Sequence, residues 1–137
     1  MKRSAKAVWK GTVKDGSGVL TTQSTTLNDT QYSFKSRFEE GVGTNPEELL
    51  AAAHAGCFTM KTSALLTEAG YTPETLETEC KISLTDGKIN LSELVLTAKI
   101  PGISEDDFQK IAQDAKENCP VSQAFSFDKT LTATLVS

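Results

Sequence analysis

The residues of this 137-residue chain best suited to nucleophilic or redox chemistry are its three cysteines, Cys57, Cys80 and Cys119. A thiol attacks as the thiolate, and an unperturbed cysteine, with a pKa of about 8.5, is only slightly ionised at neutral pH. The odd count and wide spacing do not suit the disulfide framework of a small secreted protein. They suit either inert buried thiols or a working pair with a third, structural cysteine.

Cys57 lies in the segment Asn45–Met60, NPEELLAAAHAGCFTM, which is predicted to be helical. About twelve positions separate Cys57 from the helix start, so the helix dipole contributes little to its pKa. A cation would have to activate it, and Arg37 is the candidate. Arg37 belongs to the segment YSFKSRF, which alternates like a strand, so its side chain is predicted to point away from the aromatic face.

Cys119 and Cys80 occupy different predicted environments. Cys119 is expected at the carboxyl end of a helix, where the dipole disfavours an anion and the residue would wait as a thiol. Cys80 shares one face of a predicted strand with the apolar residues Leu76, Ile82 and Leu84. Cys80 is therefore expected to be structural.

His54 precedes Cys57 by three residues and shares its helix face. It could serve as the base of a Cys-His hydrolase or join Cys57 and Cys119 at a zinc ion. No sequence signal indicates a third orienting group or an oxyanion hole, and the spacing is no zinc signature. We expect His54 to be packed or hydrogen-bonded, and we expect no metal and no cofactor.

The elements that must position these residues begin with a long helix. Asn45 is a typical N-cap, Pro46 suits the first helical position, and Glu48 can reach back to the cap. The helix should run to Ala69, with Gly70 beyond its end. Strands are predicted before it.

After this helix, Asp86-Gly87 predicts a β-hairpin turn between two strands, with a bulge near Ser92-Glu93 where the apolar positions change face. Ser104 caps a further helix that ends before Cys119 because Pro120 follows it. A final strand, KTLTATLV, completes an α+β domain, predicted as a single domain over residues 1–137.

Composition excludes several function classes. The formal net charge is −4 and there is no basic run, which argues against nucleic acid as a partner. The longest apolar run is short and interrupted by His54, which argues against a membrane span. No apolar stretch follows the basic start MKRSAK, so no secretory signal is expected. We expect a cytoplasmic protein.

The segments FKSRFEEGVGTNPEELLAAAHAGCF and ENCPVSQAF resemble those of the OsmC/Ohr family, the osmotically inducible and organic-hydroperoxide-resistance peroxidases. The resemblance extends from VWKG to the last strand. The motif RFEEG resembles the OsmC branch of the family more than the Ohr branch. It implies an OsmC-like fold with N-terminal strands, a long buried central helix, a hairpin, a second helix and a final strand. It also implies an intertwined homodimer with its sites at the subunit interface.

The resemblance further implies a thiol peroxidase. Cys57 would attack an organic hydroperoxide and become a sulfenic acid, and Cys119 would condense with it to a disulfide. A dithiol reductant of the lipoyl type would restore both thiols. Arg37 would stabilise the thiolate, and Glu47 would hold the guanidinium by a bidentate pair.

Helix geometry restricts this site. Glu47 and Cys57 are ten residues apart, about 15 Å along a straight helix. Either the helix bends near Gly56, or Glu47 comes from a second chain. The apolar residues around Cys57 could hold a hydrophobic peroxide tail, or they could make a binding or carrier protein in which the cysteines are incidental. The candidate lining residues are Phe38, Leu49, Leu50, Phe58 and Met60.

Overall fold

The computed structural model describes residues 1–38 and 41–137, in two compact units, Met1–Leu49 and Leu50–Ser137. Glu39 and Glu40, which belong to the RFEEG motif, lie outside the described residues. The single domain expected over residues 1–137 stays a prediction.

The first unit contains an antiparallel three-stranded sheet in the order β1-β2-β3 and a short helix. A close approach of two aromatic rings requires glycine at position 18, because a Cβ there would lie 2.4 Å from the Trp9 ring and 2.5 Å from the Tyr32 ring. The centres of these two rings, which lie beside Gly18, are 5.3 Å apart. The elements are β1 (Ala5–Lys10), β2 (Ser17–Thr22), β3 (Thr30–Tyr32) and α1 (Phe34–Phe38).

The strand predicted for the segment YSFKSRF is wrong. Only Tyr32 of this segment lies in a strand, and Phe34–Phe38 form helix α1. Ser33 and Ser36 cap the turn reciprocally, each side chain accepting a hydrogen bond from the other's backbone N–H. The Phe34 and Phe38 rings pack 4.8 Å apart. A spacing of four residues suits both a strand face and a helix face, so the alternation could not distinguish them.

Helix α2 (Pro46–Glu68) begins as predicted and ends one residue earlier than predicted. The Asn45 side chain accepts a hydrogen bond from the Glu48 N–H at 2.9 Å, which is the predicted N-cap. Gly70 has a φ of +89°, and the Tyr71 N–H bonds the Leu66 carbonyl, as in a Schellman motif.

The second unit contains a three-stranded sheet in the order β4-β5-β6. β5 is antiparallel to β4 across the predicted Asp86-Gly87 turn, where both residues have positive φ, and it is parallel to β6. The short helix α4 was not predicted. The elements after α2 are β4 (Thr75–Thr85), β5 (Lys88–Lys99), α3 (Glu105–Asn118), α4 (Pro120–Ala124) and β6 (Asp128–Val136).

The bulge in β5 lies at Asn90, whereas the sequence placed it near Ser92-Glu93. Ser83 pairs with Leu91 and Leu84 pairs with Ile89, so Asn90 is the extra residue. Its insertion turns Ser92 onto the buried face of β5 together with Leu94.

The core of the second unit lies on β5, which is the central strand. The predicted cap of α3 is present, since the Asp107 N–H donates to the Ser104 hydroxyl at 3.2 Å. Helices α2 and α3 contribute the remaining large buried side chains. The fully buried apolar residues are Phe58, Leu66, Leu94, Leu96, Ala98, Phe108, Ala112, Ala115 and Cys119.

Candidate active site

The predicted partners Arg37 and Glu47 form an ion pair in the first unit. Arg37 Nε and Nη2 lie 2.8 Å and 2.6 Å from Glu47 Oε1. Both nitrogens use the same oxygen, whereas a bidentate pair would use both. Glu47 is 8% exposed, and its Oε2 has no hydrogen-bond partner among the described residues. The arginine is therefore held, while one buried carboxylate oxygen still has the capacity to accept a hydrogen bond.

Local hydrogen bonds around the N-terminus of α2 hold Arg37 in place. The Asn45 side-chain amide donates to the Ser36 carbonyl at 2.8 Å, and the Ser36 hydroxyl donates to the Thr44 carbonyl at 2.6 Å. The residue that caps α2 thus also fastens α1, which carries Arg37. Glu47 lies in the first turn of α2, where the helix dipole favours a carboxylate.

A cavity of about 200 Å³ opens beside Arg37. The guanidinium lies 5.4 Å from the centre of the Phe38 ring, and the Arg37 side chain remains 38% exposed. The cavity thus combines one cation with a wall that includes three aromatic side chains. Its lining residues are Trp9, Val13, Tyr32, Ser33, Phe34, Arg37 and Pro46.

These lining residues differ from the ones expected from the sequence. Phe58 is fully buried in the core of the second unit, and the side chains of Phe38 and Met60 are exposed. Sequence reasoning missed Trp9 because pairing of β1 with β2 and of β2 with β3, not proximity along the chain, brings it beside Tyr32 and Arg37.

The cysteines lie in the second unit and are all free thiols. Cys57 on α2 is partly exposed, and Cys119 is completely buried. Cys80 is partly buried against the core, in agreement with its expected structural role. Cys57 is therefore more accessible than Cys119.

Burial raises the pKa of the Cys57 thiol. A hydrogen bond from the Val121 backbone N–H lowers this pKa, whereas Cys119 raises it through its charge and by hydrogen bonding, and the Lys61 cation lowers it. The Cys57 and Cys119 thiols are thus neighbours, as a pair that forms a disulfide must be. Within the second unit alone, the thiol form of Cys57 is favoured.

Cys119 lies at the junction of two helices. It ends α3 as predicted, but it is also the N-cap of α4, and its sulfur accepts a hydrogen bond from the Ser122 N–H at 3.4 Å. The dipole of α3 alone is therefore an incomplete account of its surroundings, because the Ser122 N–H of α4 donates to the same sulfur. Pro120 could have indicated this helix, since proline is common at the first helical position.

His54 is buried and hydrogen-bonded, as expected. Its Nδ1 lies 2.6 Å from the Ser92 hydroxyl, and its Nε2 lies 2.6 Å from the Ser122 hydroxyl. Burial, and then the Lys129 charge, lower the pKa of His54. The imidazole is therefore neutral at pH 7. Sequence reasoning missed both serines, although Ser122 is only three residues beyond Cys119.

Among residues 1–38 and 41–137, no group of three or more histidine, cysteine or acidic side chains is arranged to hold a metal ion.

Sequence comparison determines the family. The sequence profile described as OsmC-like protein matches residues 39–134. The peroxiredoxin OsmC of Escherichia coli (strain K12) is 42% identical over 133 residues, covering 94% of this chain and 93% of that protein. The chain belongs to the OsmC-like family.

Other relatives locate the chain within the OsmC/Ohr family. The organic hydroperoxide resistance protein-like 1 of Staphylococcus saprophyticus is 35% identical over 89 residues, covering 60% of this chain and 61% of that protein. The higher identity and coverage of the E. coli protein confirm that the chain is nearer the OsmC branch. The family assignment also confirms the predicted enzyme class, a peroxidase.

The fold of the OsmC-like family is confirmed by solved structures. An OsmC-like protein from Mycoplasma pneumoniae superimposes with a TM-score of 0.80, covering 100% of this chain and 99% of that one, at 15% identity. At this identity the comparison supports the fold alone, and it confirms the predicted OsmC-like α+β arrangement.

Helix α2 has the length and composition of a membrane span, with 23 residues and a mean hydropathy of 1.2 over an 18-residue window. The family relatives nevertheless indicate a non-membrane protein, as predicted. Only 22% of that window is buried within the chain, so the predicted long central helix is present but its own chain does not bury most of it. The apolar exposed face of α2 therefore needs another explanation.

Proposed function

We propose that this OsmC-like protein reduces organic hydroperoxides, and hydrogen peroxide more weakly, by a two-cysteine mechanism. The Cys57 thiolate attacks an oxygen of the hydroperoxide, the O–O bond breaks, and an alcohol leaves after taking up a proton. Cys57 is left as a sulfenic acid. The proximity of the Cys57 and Cys119 thiols is the observation that carries this proposal.

Cys119 completes the oxidative half of the cycle. Its sulfur attacks the Cys57 sulfur, the S–O bond breaks, and water is released as the Cys57–Cys119 disulfide forms. The partial exposure of Cys57 and the burial of Cys119 support this order, because peroxide must reach the first cysteine. A dithiol of the lipoyl class then reduces the disulfide by thiol exchange.

Arg37 is proposed as the cation that activates Cys57, with Glu47 holding its guanidinium. Burial raises the pKa of Cys57, so a positive charge is needed to make the thiolate abundant at pH 7. The short ion pair to the buried Glu47 supports a fixed orientation of Arg37. The cavity beside Arg37, with its aromatic wall, supports a substrate with an apolar tail.

The working unit is proposed to be an intertwined homodimer in which Arg37 and Glu47 of one chain serve Cys57 of the other. Helix α2 is continuous through His54 and Gly56, which favours a second chain over a bend. An exposed stripe of small and apolar residues supports an interface along α2. These residues are Ala52, Ala53, Gly56, Met60 and Ala64.

We further propose a cytoplasmic location, since a cycle between thiol and disulfide needs a reducing compartment to restore the thiols.

Steady-state reduction of cumene hydroperoxide tests the proposal, with dihydrolipoamide or glutathione as reductant. The wild-type protein should turn over with the dithiol and poorly with glutathione. Cys57→Ser should abolish turnover, and Cys119→Ser should perform one turnover and then stop as sulfenic acid. Cys80→Ser is the matched control, since it removes a thiol outside the proposed pair. Undiminished turnover of Cys57→Ser would contradict the proposal.

A binding or carrier function is the second candidate, because the cavity beside Arg37 could hold an apolar anion without chemistry. Under this function Cys57→Ser would leave ligand affinity intact, and the wild-type protein would not consume peroxide.

A further inference from the structure

A chain of buried hydrogen bonds connects Cys119 with His54. The Cys119 thiol donates to the Ser122 hydroxyl at 3.0 Å, and that hydroxyl lies 2.6 Å from His54 Nε2. On the other side of the ring, Nδ1 lies 2.6 Å from the Ser92 hydroxyl, which lies 3.2 Å from Cys80 Sγ. His54, Ser92 and Cys119 are 0% exposed and Ser122 is 1% exposed.

One assignment of the protons gives every group in this chain a partner. Because the Cys119 S–H occupies the Ser122 oxygen, the Ser122 O–H donates to Nε2. Nδ1–H then donates to Ser92, whose own hydroxyl donates to the Cys80 sulfur. In this tautomer the Nε2 lone pair accepts the hydrogen bond from the Ser122 O–H, and the Ser122 oxygen accepts the one from the Cys119 thiol.

We propose that Ser122 and His54 remove the proton of Cys119 when it resolves the Cys57 sulfenic acid, an inference that rests on the proposed peroxidase function. The Cys119 sulfur forms the S–S bond as Ser122 takes its proton and passes its own proton to Nε2. The S–O bond of Cys57 breaks and hydroxide leaves. The proton taken by His54 then returns through Ser122 to the departing hydroxide, which accounts for one water.

The surroundings of His54 allow the imidazole ring to hold the transferred proton only transiently. The ionisable groups that face it are Cys80 on β4, Cys119 between α3 and α4, and Lys129 on β6. The Phe125 ring packs edge-on at 5.0 Å. An apolar wall and a nearby lysine disfavour the imidazolium, so the ring does not retain the proton. Direct removal of this proton by water is prevented, because Cys119 is completely buried.

Single-turnover kinetics with one equivalent of cumene hydroperoxide test this relay. Sulfenic acid is measured by trapping with a 1,3-diketone, and disulfide is measured by mass spectrometry after quenching with an alkylating agent. Between pH 6 and 8 the wild-type rate of disulfide formation should depend weakly on pH. Ser122→Ala should still form sulfenic acid, but its disulfide should form about 100-fold more slowly at pH 7, as for loss of a general base.

The pH profile separates proton transfer from packing. In Ser122→Ala the disulfide rate should rise about tenfold per pH unit, because the thiol must first ionise without the relay. His54→Gln should behave similarly, since an amide can bond Ser122 but cannot take up its proton. Thr62→Val is the matched control, because it deletes another fully buried hydroxyl, bonded to the Phe58 carbonyl at 2.8 Å, away from the relay.

Disulfide formation by Ser122→Ala or by a folded His54→Gln at the wild-type rate across this pH range would overturn the inference. A wild-type protein that forms no sulfenic acid would overturn the proposed function, and this inference with it. Sulfenic acid formation at the wild-type rate with slow, pH-dependent disulfide formation in Ser122→Ala would support both.

Discussion

At the scale of single residues, the chemistry depends on the balance between groups that raise and groups that lower the pKa of Cys57. Burial raises the pKa of its thiol, and neighbouring Cys119 raises it further, while the Val121 N–H and Lys61 lower it. These second-unit groups do not favour a thiolate at neutral pH. The proposed peroxidase activity therefore needs a further cation, and Arg37 is the one we propose.

Arg37→Ala should slow peroxide reduction at pH 7 by roughly 100-fold or more, as for removal of a fixed charge that stabilises a transition state. Because burial raises the pKa of Cys57, the variant's rate should keep rising with pH through the alkaline range, whereas the wild-type rate should level off at lower pH. Thiolate absorbance of each protein, with its Cys57→Ser counterpart subtracted, measures the same difference.

The matched control for this change is Arg3→Ala, which removes the chain's other arginine at an exposed position. Equal rates for Arg37→Ala and wild-type protein at pH 7 would show that Arg37 does not activate Cys57.

His54 is the chain's single histidine, so it should dominate any stability change between pH 7 and 5. Its pKa is lowered in the folded state, and the unfolded chain takes up a proton near pH 6.5. The unfolded state therefore binds more protons as the pH falls through 6.5, and the free energy of unfolding should decrease, by at most about 1.4 kcal/mol per pH unit. The decrease stops below the folded-state pKa.

Urea unfolding at pH 7, 6 and 5 measures this decrease, and His54→Gln should lack it. A wild-type stability that is constant over this range would mean that folding does not oppose the protonation of His54.

At the scale of the elements, the junction of α1 and α2 decides where Arg37 lies. Asn45 performs two tasks there, since its oxygen caps α2 and its amide nitrogen holds the Ser36 carbonyl of α1. The cap was evident from the sequence. The second bond depends on the path of the chain between the helices and was not.

Asn45→Ala and Asn45→Asp separate these two tasks. Alanine removes the cap and should lower the free energy of unfolding by about 1 kcal/mol. Aspartate keeps the cap but cannot donate to the Ser36 carbonyl. The Asn45→Asp variant should therefore retain most of the stability but have lower peroxidase activity. Urea unfolding and steady-state peroxide reduction check both effects, and full activity of Asn45→Asp would argue against this fastening of Arg37.

At the scale of the whole molecule, α2 presents apolar side chains that the single chain leaves exposed. Met60 is 76% exposed, and a Cβ added at Gly56 would meet nothing within 4 Å. In the proposed dimer, a second copy of the chain buries this stripe, and Arg37 and Glu47 of one chain serve Cys57 of the other.

Gly56→Glu should weaken the dimer and, with it, the peroxidase activity. The substitution fits the single chain and improves helix propensity, so the fold should persist. Light scattering measures the mass, and circular dichroism checks the fold. Lys110→Glu adds a carboxylate at an exposed position on α3 as control. A Gly56→Glu variant that remains dimeric, or a wild-type monomer with full activity, would contradict the proposed interface.

The sequence by itself determined the features that depend on local chemistry. Each of these features follows from how a residue bonds or shapes the backbone next to it. They are the Asn45 cap, the end of α2 at Gly70, the Asp86-Gly87 turn and the Ser104 cap. The family motif likewise needs only residue order, and it singled out Cys57, Cys119, Arg37 and Glu47. The cap and turn predictions used interactions within a few residues along the chain, where spacing determines geometry.

Tertiary structure alone decided the features that depend on distant parts of the chain. Phe34 and Phe38 have a spacing that suits both strand and helix, and Ser36 between them bonds Thr44 and Asn45, eight and nine positions further along the chain. Ser92 lies 38 positions from His54 and Ser122 lies 68. Because strand pairing and helix packing set such contacts, the buried path from His54 to Cys119 could be recognised only in the folded chain.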